Sequence, residues 1–389
     1  MDLKKKQRGK GFCNKDKSQR LLETFLELVQ INSETGHEEV IQPILKKKFE
    51  ELGLNVTEDH ASEKSWLGAN NLICTLPATS AKEDVSKIYF TSHMDTVVPG
   101  INIKPQIKED GYIYSDGSTI LGADDKAGLA AIIETIQYLN ENEIPHGQIQ
   151  FIITVGEESG LKGVKELDST YIDAEFGYAV DASQPVGTTV VGAPTQMVIN
   201  TTILGKTAHA STPSEGISAI NIAAKAISRM KLGQIDDYTT ANIGKFHGGS
   251  ATNIVADEVV LEAEARSHDN QSIEQQVIHM KETFETTAQE LGGEAKVIIE
   301  KSYPGFKLEN DDKVTQFAIN SARELGLAGD TVIAGGGSDG SIINTFGIPT
   351  VILGVGYEHI HTTSERISVN SLNQLAKQIV KIIDLVAKS

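Results

Sequence analysis

The chain places a histidine and an aspartate at the end of a predicted buried strand. In "KIYFTSHMDTVVPG", residues 87–100, an apolar run leads to His93 and, two residues later, to Asp95. Side chains at positions i and i+2 of a strand point the same way, so both leave the strand on one side. Burying such groups costs free energy unless they bind a partner. The pair suits a metal ligand with a supporting carboxylate, and it also suits an ordinary hydrogen-bonded loop.

Further acidic and histidine side chains stand where other predicted strands end. They are Asp124 and Asp125 in "LGADDKAG", Glu157 and Glu158 in "TVGEESG", Asp181 in "YAVDAS", and His359 and His361 in "VGYEHIHTTSE". In an open α/β sheet, ligands bind at the carboxyl edge of the strands. The sequence therefore predicts that two histidines and several carboxylates converge on one edge of one sheet.

A convergent set of this composition is typical of a site for two divalent metal ions. In such sites the ions lie about 3.5–4 Å apart, lower the pKa of a water and polarise a carbonyl oxygen. One carboxylate has to bridge the ions, while each ion also takes a histidine and another carboxylate. These ligands favour zinc, with cobalt or manganese as substitutes. The adjacent Glu157 and Glu158 supply one ligand and one general base.

The elements that position these residues are those of an α/β protein. Buried strands such as "KIYFTSH" and "GQIQFIITV" alternate with helices such as "GADDKAGLAAIIETIQYLNEN". This alternation predicts a mixed sheet with parallel stretches and helices on both faces.

The middle of the chain has a different pattern. Residues 195–302 predict the order strand, helix, strand, strand, helix, strand, which is the split βαβ arrangement of a ferredoxin-like α+β domain. We therefore expect an α/β catalytic domain, residues 21–194 and 303–389, interrupted by this inserted domain.

Length, charge and cysteine content narrow the class of protein. A chain of 389 residues exceeds the size at which one core stops growing, which favours two domains. The net charge is −18, and residues 1–20 hold eight Lys and Arg, so the remainder is still more acidic. This acidity argues against nucleic acid as a partner, and residues 1–20 are expected to form a basic disordered tail.

No apolar run approaches the ~20 residues of a membrane span. Cys13 and Cys74 show no disulfide or metal spacing, which fits the reducing cytoplasm.

As a set, these motifs resemble the co-catalytic di-zinc peptidases that include peptidase T, carboxypeptidase G2 and the aminoacylases, and most of all the peptidase T-like members. The resemblance covers essentially residues 21–389. It implies that His93, Asp124, Glu158, Asp181 and His361 ligate two zinc ions, with Asp124 bridging them. It also implies two domains, of which the inserted one is a lid.

The resemblance assigns roles to the neighbours of these ligands as well. Glu157 becomes the general base, and Asp95 the carboxylate that holds His93 and tunes its basicity. The H-x-x-x-E pattern selects His361 with Glu365, and His359 is the alternative to His361. A cis peptide bond is implied after the bridging aspartate.

Three residues of the predicted lid match positions that act on the substrate in the family. His209 in "HASTPSEGISA" is expected to hydrogen-bond the oxyanion. Asn253 in "ATNIVAD" and Arg266 in "EARSHD" are expected to contact the substrate, the arginine as a carboxylate clamp. The loop "GGGSDG", residues 335–340, resembles a substrate-side loop of the family.

The expected function is zinc-dependent removal of the N-terminal residue of short peptides. Thr362 and Ala182 stand where peptidase T typically has glycine, so strict tripeptide specificity is not implied. An N-acyl-amino-acid amidohydrolase with the same machinery is the alternative. A non-catalytic peptide-binding protein is an alternative of another class, against which the intact ligand set and Glu157 argue. Some relatives dimerise through the lid, so a homodimer is a further expectation.

Overall fold

The computed structural model of the protein describes residues 15–79 and 84–389. Within these ranges it contains ten α-helices, numbered along the chain. They are α1 (Lys15–Val29), α2 (Ile41–Glu51), α3 (Ala61–Lys64), α4 (Ala123–Asn142), α5 (Lys162–Glu166), α6 (Ala219–Arg229), α7 (Asn270–Glu290), α8 (Lys313–Glu324), α9 (Asp339–Ile343) and α10 (Val369–Lys388). None of these described helices is long and apolar enough to cross a membrane.

The same part of the chain contains eighteen strands, which form three sheets. They are β1 (Asn55–Glu58), β2 (Leu72–Leu76), β3 (Ile88–His93), β4 (Gln106–Ile107), β5 (Tyr112–Tyr114), β6 (Ile149–Thr154), β7 (Phe176–Ala182), β8 (Thr189–Ala193), β9 (Thr195–Leu204), β10 (Gly233–Gln234), β11 (Thr239–Gly248), β12 (Glu258–Ser267), β13 (Glu294–Tyr303), β14 (Phe306–Lys307), β15 (Thr331–Ile333), β16 (Thr350–Gly354), β17 (Tyr357–Glu358) and β18 (Arg366–Ser368).

The first of two compact units is the predicted mixed α/β domain. It comprises the described residues up to Gly192, together with Lys307–Ala334 and Ser338–Ser389. Its nine-stranded sheet has the order β1-β2-β6-β3-β7-β16-β8-β14, with β15 beside β8. The central strands β6, β3, β7 and β16 run parallel, whereas β2 is antiparallel to β6 and β8 is antiparallel to β16.

The central strands of this sheet are buried along their whole length. Every residue of β3 and of β6 is buried, because helices cover a parallel sheet and leave no solvated face. Helices α4 and α9 each pack against β3 and β7, and α1 and α10 pack on α4. A second, four-stranded sheet of order β17-β18-β5-β4 completes the unit. The sequence did not predict this small sheet, since strands of two or three residues are too short to show alternation.

The second compact unit is the inserted α+β domain. It comprises Ala193–Phe306 and Gly335–Gly337, so it begins two residues before the predicted limits and ends four residues after them. Its sheet has the order β10-β11-β12-β9-β13 and is antiparallel throughout. Helices α6 and α7 pack on this sheet and on each other. Apart from the short β10, this is the split βαβ arrangement of ferredoxin-like domains.

The first helix begins earlier than the sequence predicted. A disordered tail was expected over residues 1–20, but α1 begins at Lys15, while residues 1–14 lie outside the described part of the chain. Nε and Nη2 of Arg20 each lie 2.8 Å from the carboxylate of Glu134 on α4. The side chain of Glu134 is only 1% exposed, so this ion pair satisfies a buried charge and fixes the first turns of α1.

Replacement of Arg20 is expected to destabilise the first unit. In Arg20→Ala the buried Glu134 loses two N–H donors, which should lower the free energy of unfolding by about 1–3 kcal/mol. Urea denaturation monitored by circular dichroism measures this. The matched control is Lys47→Ala, which removes an exposed pair with Glu51 and should change stability by no more than about 0.5 kcal/mol. Equal losses in both variants would contradict the buried-charge explanation.

Candidate metal centre

Three neighbouring parallel strands carry predicted site residues at their carboxyl ends. His93 is the last residue of β3, Glu157 follows β6 after two residues, and Asp181 is the penultimate residue of β7. Because the strands lie in the order β6-β3-β7, these residues reach the same edge of the sheet. Asp124 arrives at the start of α4, and His361 arrives from the loop between β17 and β18.

The Asp124 carboxylate lies between the two histidines. Its Oδ1 is 3.1 Å from Nε2 of His93, and its Oδ2 is 3.3 Å from Nε2 of His361. On the His93 side, Oδ1 of Asp181 lies 3.7 Å from the same Nε2. On the His361 side, Oε2 of Glu158 lies 3.0 Å from Nε2. Each oxygen of Asp124 therefore faces its own pair of one histidine and one carboxylate.

The donor atoms of these residues form clusters of the size that suits a metal ion. In each cluster one nitrogen or oxygen per residue lies within 4.8 Å of the others. The clusters are His93 with Asp124 and Asp181, Asp124 with Glu158 and His361, and His93 with Glu157 and Glu158. The first two clusters share Asp124 and use different oxygens of it, which is the arrangement that a bridging ligand requires.

The structure distinguishes the two histidines of "HIH". His359 and His361 both have left-handed backbone conformations, with φ of 56° and 61°. His361 lies beside Asp124, whereas His359 belongs to no cluster of metal-binding groups among the described residues. The backbone carbonyl of His359 accepts a hydrogen bond from the Thr362 hydroxyl at 2.7 Å, which closes the turn.

The electrostatics of these clusters favours added positive charge. Burial, with repulsion from Asp124, raises the pKa of Glu158 to about 7. Hydrogen bonds to Asp124 and Glu158 raise the pKa of His361 to about 10. Burial opposes the charge on Asp124, but hydrogen bonds from His361 and His93 outweigh it and lower the pKa of Asp124. Divalent ions would supply positive charge between these groups, and imidazole nitrogen with carboxylate oxygen is a donor set suited to zinc. The residues present therefore fit the implied metal ions.

Glu365 holds the backbone that leads into Asp124. Its buried carboxylate accepts hydrogen bonds from the backbone N–H groups of Leu121 and Gly122, at 2.8 Å each, and of Asp124, at 3.0 Å. Burial raises the pKa of Glu365 to about 7. The peptide bond between Asp124 and Asp125 is cis, as the resemblance implies. Glu365 thus holds the backbone from which the Asp124 side chain extends.

Asp95 contacts His93 both with its carboxylate, as the resemblance implies, and with its backbone carbonyl. Nδ1 of His93 lies 3.0 Å from the backbone carbonyl oxygen of Asp95, and 3.5 Å from its carboxylate Oδ1. The carboxylate accepts hydrogen bonds from the backbone N–H groups of Glu157, at 3.0 Å, and Glu158, at 3.2 Å. It also accepts one from the Thr35 hydroxyl at 2.6 Å. The carbonyl therefore provides the closest contact to His93, while the carboxylate also holds the loop that follows β6.

Glu157 belongs to the third of these clusters, with His93 and Glu158. It begins a short 3-10 turn after Gly156, whose φ is 61°. Burial raises the pKa of Glu157 well above its usual range, and the negative charge of Asp181 adds to this rise. A carboxylate with a raised pKa binds a proton more readily, which is the property that a general base requires.

In the inserted unit, His209 and Asn253 lie on neighbouring backbone segments. The N–H of Ala210 donates to the carbonyl oxygen of Asn253 at 2.9 Å, and both residues are exposed. The N–H of Ser211 donates to Nδ1 of His209 at 3.1 Å. A neutral His209 therefore carries its proton on Nε2, which leaves that N–H as a donor.

Arg266 is engaged within the same unit. Its Nε and Nη2 donate to the carboxylate of Glu264 at 3.0 and 3.2 Å, and its Nη1 donates to the carbonyl oxygen of Gly335 at 3.1 Å. Gly335 begins the "GGGSDG" loop, so Arg266 links that loop to β12. A role for Arg266 in binding a substrate carboxylate stays a prediction, and it would require sharing or exchange of these partners.

Two further residues, one in contact with the site and one buried near its charges, were missed from the sequence. The hydroxyl of Tyr357 donates to Oδ1 of Asp181 at 3.0 Å. Nζ of the buried Lys126 donates to the Ser33 hydroxyl at 2.6 Å, and burial lowers the pKa of Lys126 to about 8. A lysine directly after two aspartates, in an otherwise apolar helix, is a signal that could have identified Lys126. Tyr357 has no such signal, because a tyrosine after a buried strand is ordinary.

Known proteins resemble this chain over nearly its whole length. A tripeptidase from Staphylococcus aureus subsp. aureus Mu50 is 69% identical, covering 97% of this chain and 100% of the other, with a TM-score of 0.93. Aminopeptidase PepT from Bacillus cereus ATCC 10987 is 56% identical with the same coverage and a TM-score of 0.87. The Bacillus subtilis (strain 168) protein "Uncharacterized protein YqjE" is 54% identical, covering 95% of this chain and 99% of its own. Residues 89–385 match the family described as Peptidase family M20/M25/M40, and the chain therefore belongs to that family.

Proposed function

We propose that this protein is a two-zinc aminopeptidase that releases the N-terminal residue of short peptides. The observation that carries the proposal is the position of Asp124, whose two carboxylate oxygens face His93 and His361 at 3.1 and 3.3 Å. A single ion needs one such cluster, whereas two clusters that share one carboxylate fit a pair of ions. Membership of a peptidase family supports the same chemistry.

The proposed ligands divide into two sets around Asp124. His93 and Asp181 would hold one ion together with Asp124, and His361 and Glu158 would hold the other together with the same aspartate. Two divalent ions bound there supply the positive charge that lowers the pKa of a water and polarises the scissile carbonyl. Zinc is the proposed metal because the donors are imidazole nitrogens and carboxylate oxygens, and cobalt or manganese are the expected substitutes.

Glu157 is the proposed general base. Its carboxylate takes a proton from the attacking water and then donates that proton to the leaving amine. The backbone N–H of Glu157 is held by Asp95 at 3.0 Å, which fixes the start of the side chain. The role of His209 as a donor to the substrate oxygen stays a prediction.

The proposed substrate is a short peptide with a free α-amine. This choice rests on the similarity to the tripeptidase from S. aureus and to aminopeptidase PepT from B. cereus, at 69% and 56% identity. Ala182 and Thr362, which differ from the usual peptidase T residues, leave the preferred peptide length open.

The substrate proposal predicts amine release from trialanine but not from N-acetyl-alanine. Both substrates should be assayed with the protein as purified, after chelation, and after zinc is added back. We expect trialanine cleavage that chelation abolishes and zinc restores. Cleavage of the acetylated substrate alone would identify the acylase alternative and overturn the aminopeptidase proposal. Cleavage of neither would favour a binding protein.

Replacement of Glu157 is expected to remove catalysis and to keep the metal. Glu157→Ala lacks the proton acceptor, so turnover should fall by about 10²–10⁴-fold. Metal content, measured by inductively coupled plasma mass spectrometry, should stay at two ions per chain because Glu157 is not a proposed ligand. Turnover close to that of the wild type would rule out this role.

Replacement of His361 is expected to remove one metal ion. His361→Ala deletes the only imidazole of the second ligand set, so the dialysed protein should retain one zinc per chain rather than two. His359→Ala is the matched control, since it changes a histidine of the same turn that lies outside the clusters. Loss of an ion in the His359 variant, with two ions retained in the His361 variant, would reverse the assignment.

A further inference from the structure

Glu38 is a buried carboxylate that neither the sequence motifs nor the proposed mechanism uses. It lies in the segment between α1 and α2 and has no solvent exposure. Its Oε1 accepts hydrogen bonds from the backbone N–H groups of Gly36, at 3.0 Å, and Gly156, at 3.1 Å. Its Oε2 accepts one from the N–H of Gly68 at 2.8 Å. The carboxylate therefore joins three loops that are remote in sequence.

All three donors to Glu38 belong to glycines, and the local space explains why. A Cβ atom on Gly68 would lie 2.5 Å from the backbone nitrogen of Glu38, and one on Gly156 would lie 2.2 Å from the Leu67 side chain. Gly36 and Gly156 also have left-handed φ angles of 85° and 61°. Gly68 and Gly156 therefore have no room for a side chain in the conformations in which they donate to Glu38.

The hydrogen bond from Gly156 is the first of a consecutive series. The N–H of Gly156 points to Glu38, and the next two N–H groups, those of Glu157 and Glu158, point to Asp95. The two carboxylates are also connected through the chain, because Thr35, three residues before Glu38, donates from its hydroxyl to Asp95 at 2.6 Å. Three successive backbone amides are therefore held by two buried acids, of which Glu38 lies in the segment of residues 35–38 and Asp95 is bound by it.

We infer that Glu38 is a positioning residue for Glu157, an inference that rests on the proposed role of Glu157 as general base. Asp95 fixes the N–H of Glu157 itself, and Glu38 fixes the peptide unit immediately before it. Together they restrict the backbone dihedral angles that aim the Glu157 side chain. A misplacement of about 1 Å in a reacting group can cost about 10²-fold in rate, so anchoring of this kind affects turnover rather than substrate binding.

The test is Glu38→Gln, compared with Glu39→Gln as a matched control. Glutamine keeps one acceptor oxygen but replaces the other with an NH₂ donor, which leaves at least one glycine N–H without an acceptor. Glu39 is the exposed neighbour, and its carboxylate accepts none of the hydrogen bonds from Gly36, Gly68 and Gly156, so the same chemical change there leaves those bonds in place. Both variants are studied as the zinc-loaded full chain. We measure kcat and KM for trialanine, zinc content, and amide hydrogen exchange of a peptide that covers residues 155–160.

For Glu38→Gln we expect kcat to fall by roughly 10–100-fold, with KM and zinc content unchanged and with faster exchange over residues 155–160. Glu39→Gln should match the wild type in all four measurements. Wild-type kcat in Glu38→Gln overturns the inference whether or not exchange is faster, and so does a loss of kcat with unchanged exchange. If Glu38→Gln does not fold, Glu38→Asp keeps the charge with a shorter reach and is expected to give the same pattern to a smaller degree.

Parallel measurements on Glu157→Ala separate this inference from the proposed function. If Glu157→Ala is inactive and Glu38→Gln is fully active, the proposed function stands and the positioning role is wrong. If the wild type cleaves no peptide, or if Glu157→Ala keeps full turnover, the proposed function fails and the positioning role fails with it.

Discussion

Buried negative charge around the ends of the central strands is the constraint on which this part of the protein depends. Among the described residues of the first unit, six nearly inaccessible carboxylates lie in this region. They are Glu38, Asp95, Asp124, Asp125, Asp339 and Glu365. A buried ion without partners costs several kcal/mol, so each must be bound. Backbone N–H groups bind Glu38, Asp95 and Glu365, imidazoles face Asp124, and hydroxyl groups donate to Asp125 and Asp339.

These hydrogen bonds also supply the rigidity that the proposed chemistry needs. The loop after β6 is held by its amides, through Glu38 and Asp95, and the start of α4 is held in the same way through Glu365. Loops and helix ends are usually more mobile than the strands of a sheet protein, and here they carry Glu157 and Asp124. The anchoring acids come from other segments. The side chains proposed to bind metal or transfer a proton are therefore different from the side chains that hold their backbone.

The sequence allowed the clustered residues to be predicted together with Asp95 and Glu365, but not the supporting Glu38 or the backbone groups that these acids bind, for a physical reason. His93, Asp124 and Asp181 interrupt or follow long apolar runs, so their positions at strand or helix ends are visible in the pattern. Glu38 lies in an irregular segment, where an acidic residue is ordinary, and its partners are backbone groups of distant glycines. The carboxylate of Asp95 is a similar case. The sequence predicts that it lies on the same side of the strand as His93, but not that the loop after β6 donates hydrogen bonds to it.

The spacing of His361 and Glu365 shows how one turn can serve both purposes. His361 faces the carboxylate of Asp124 at 3.3 Å, while Glu365 accepts a hydrogen bond from the backbone N–H of the same residue at 3.0 Å. The turn between β17 and β18 therefore contacts Asp124 at its side chain and at its backbone. At the base of this turn Arg366 donates from Nε to the Glu358 carboxylate at 2.8 Å, and its guanidinium stacks on Tyr112 at 4.6 Å. A half-exposed histidine on a loop can thus keep a fixed position relative to a buried aspartate, because the same short segment contacts both the side chain and the backbone of that aspartate.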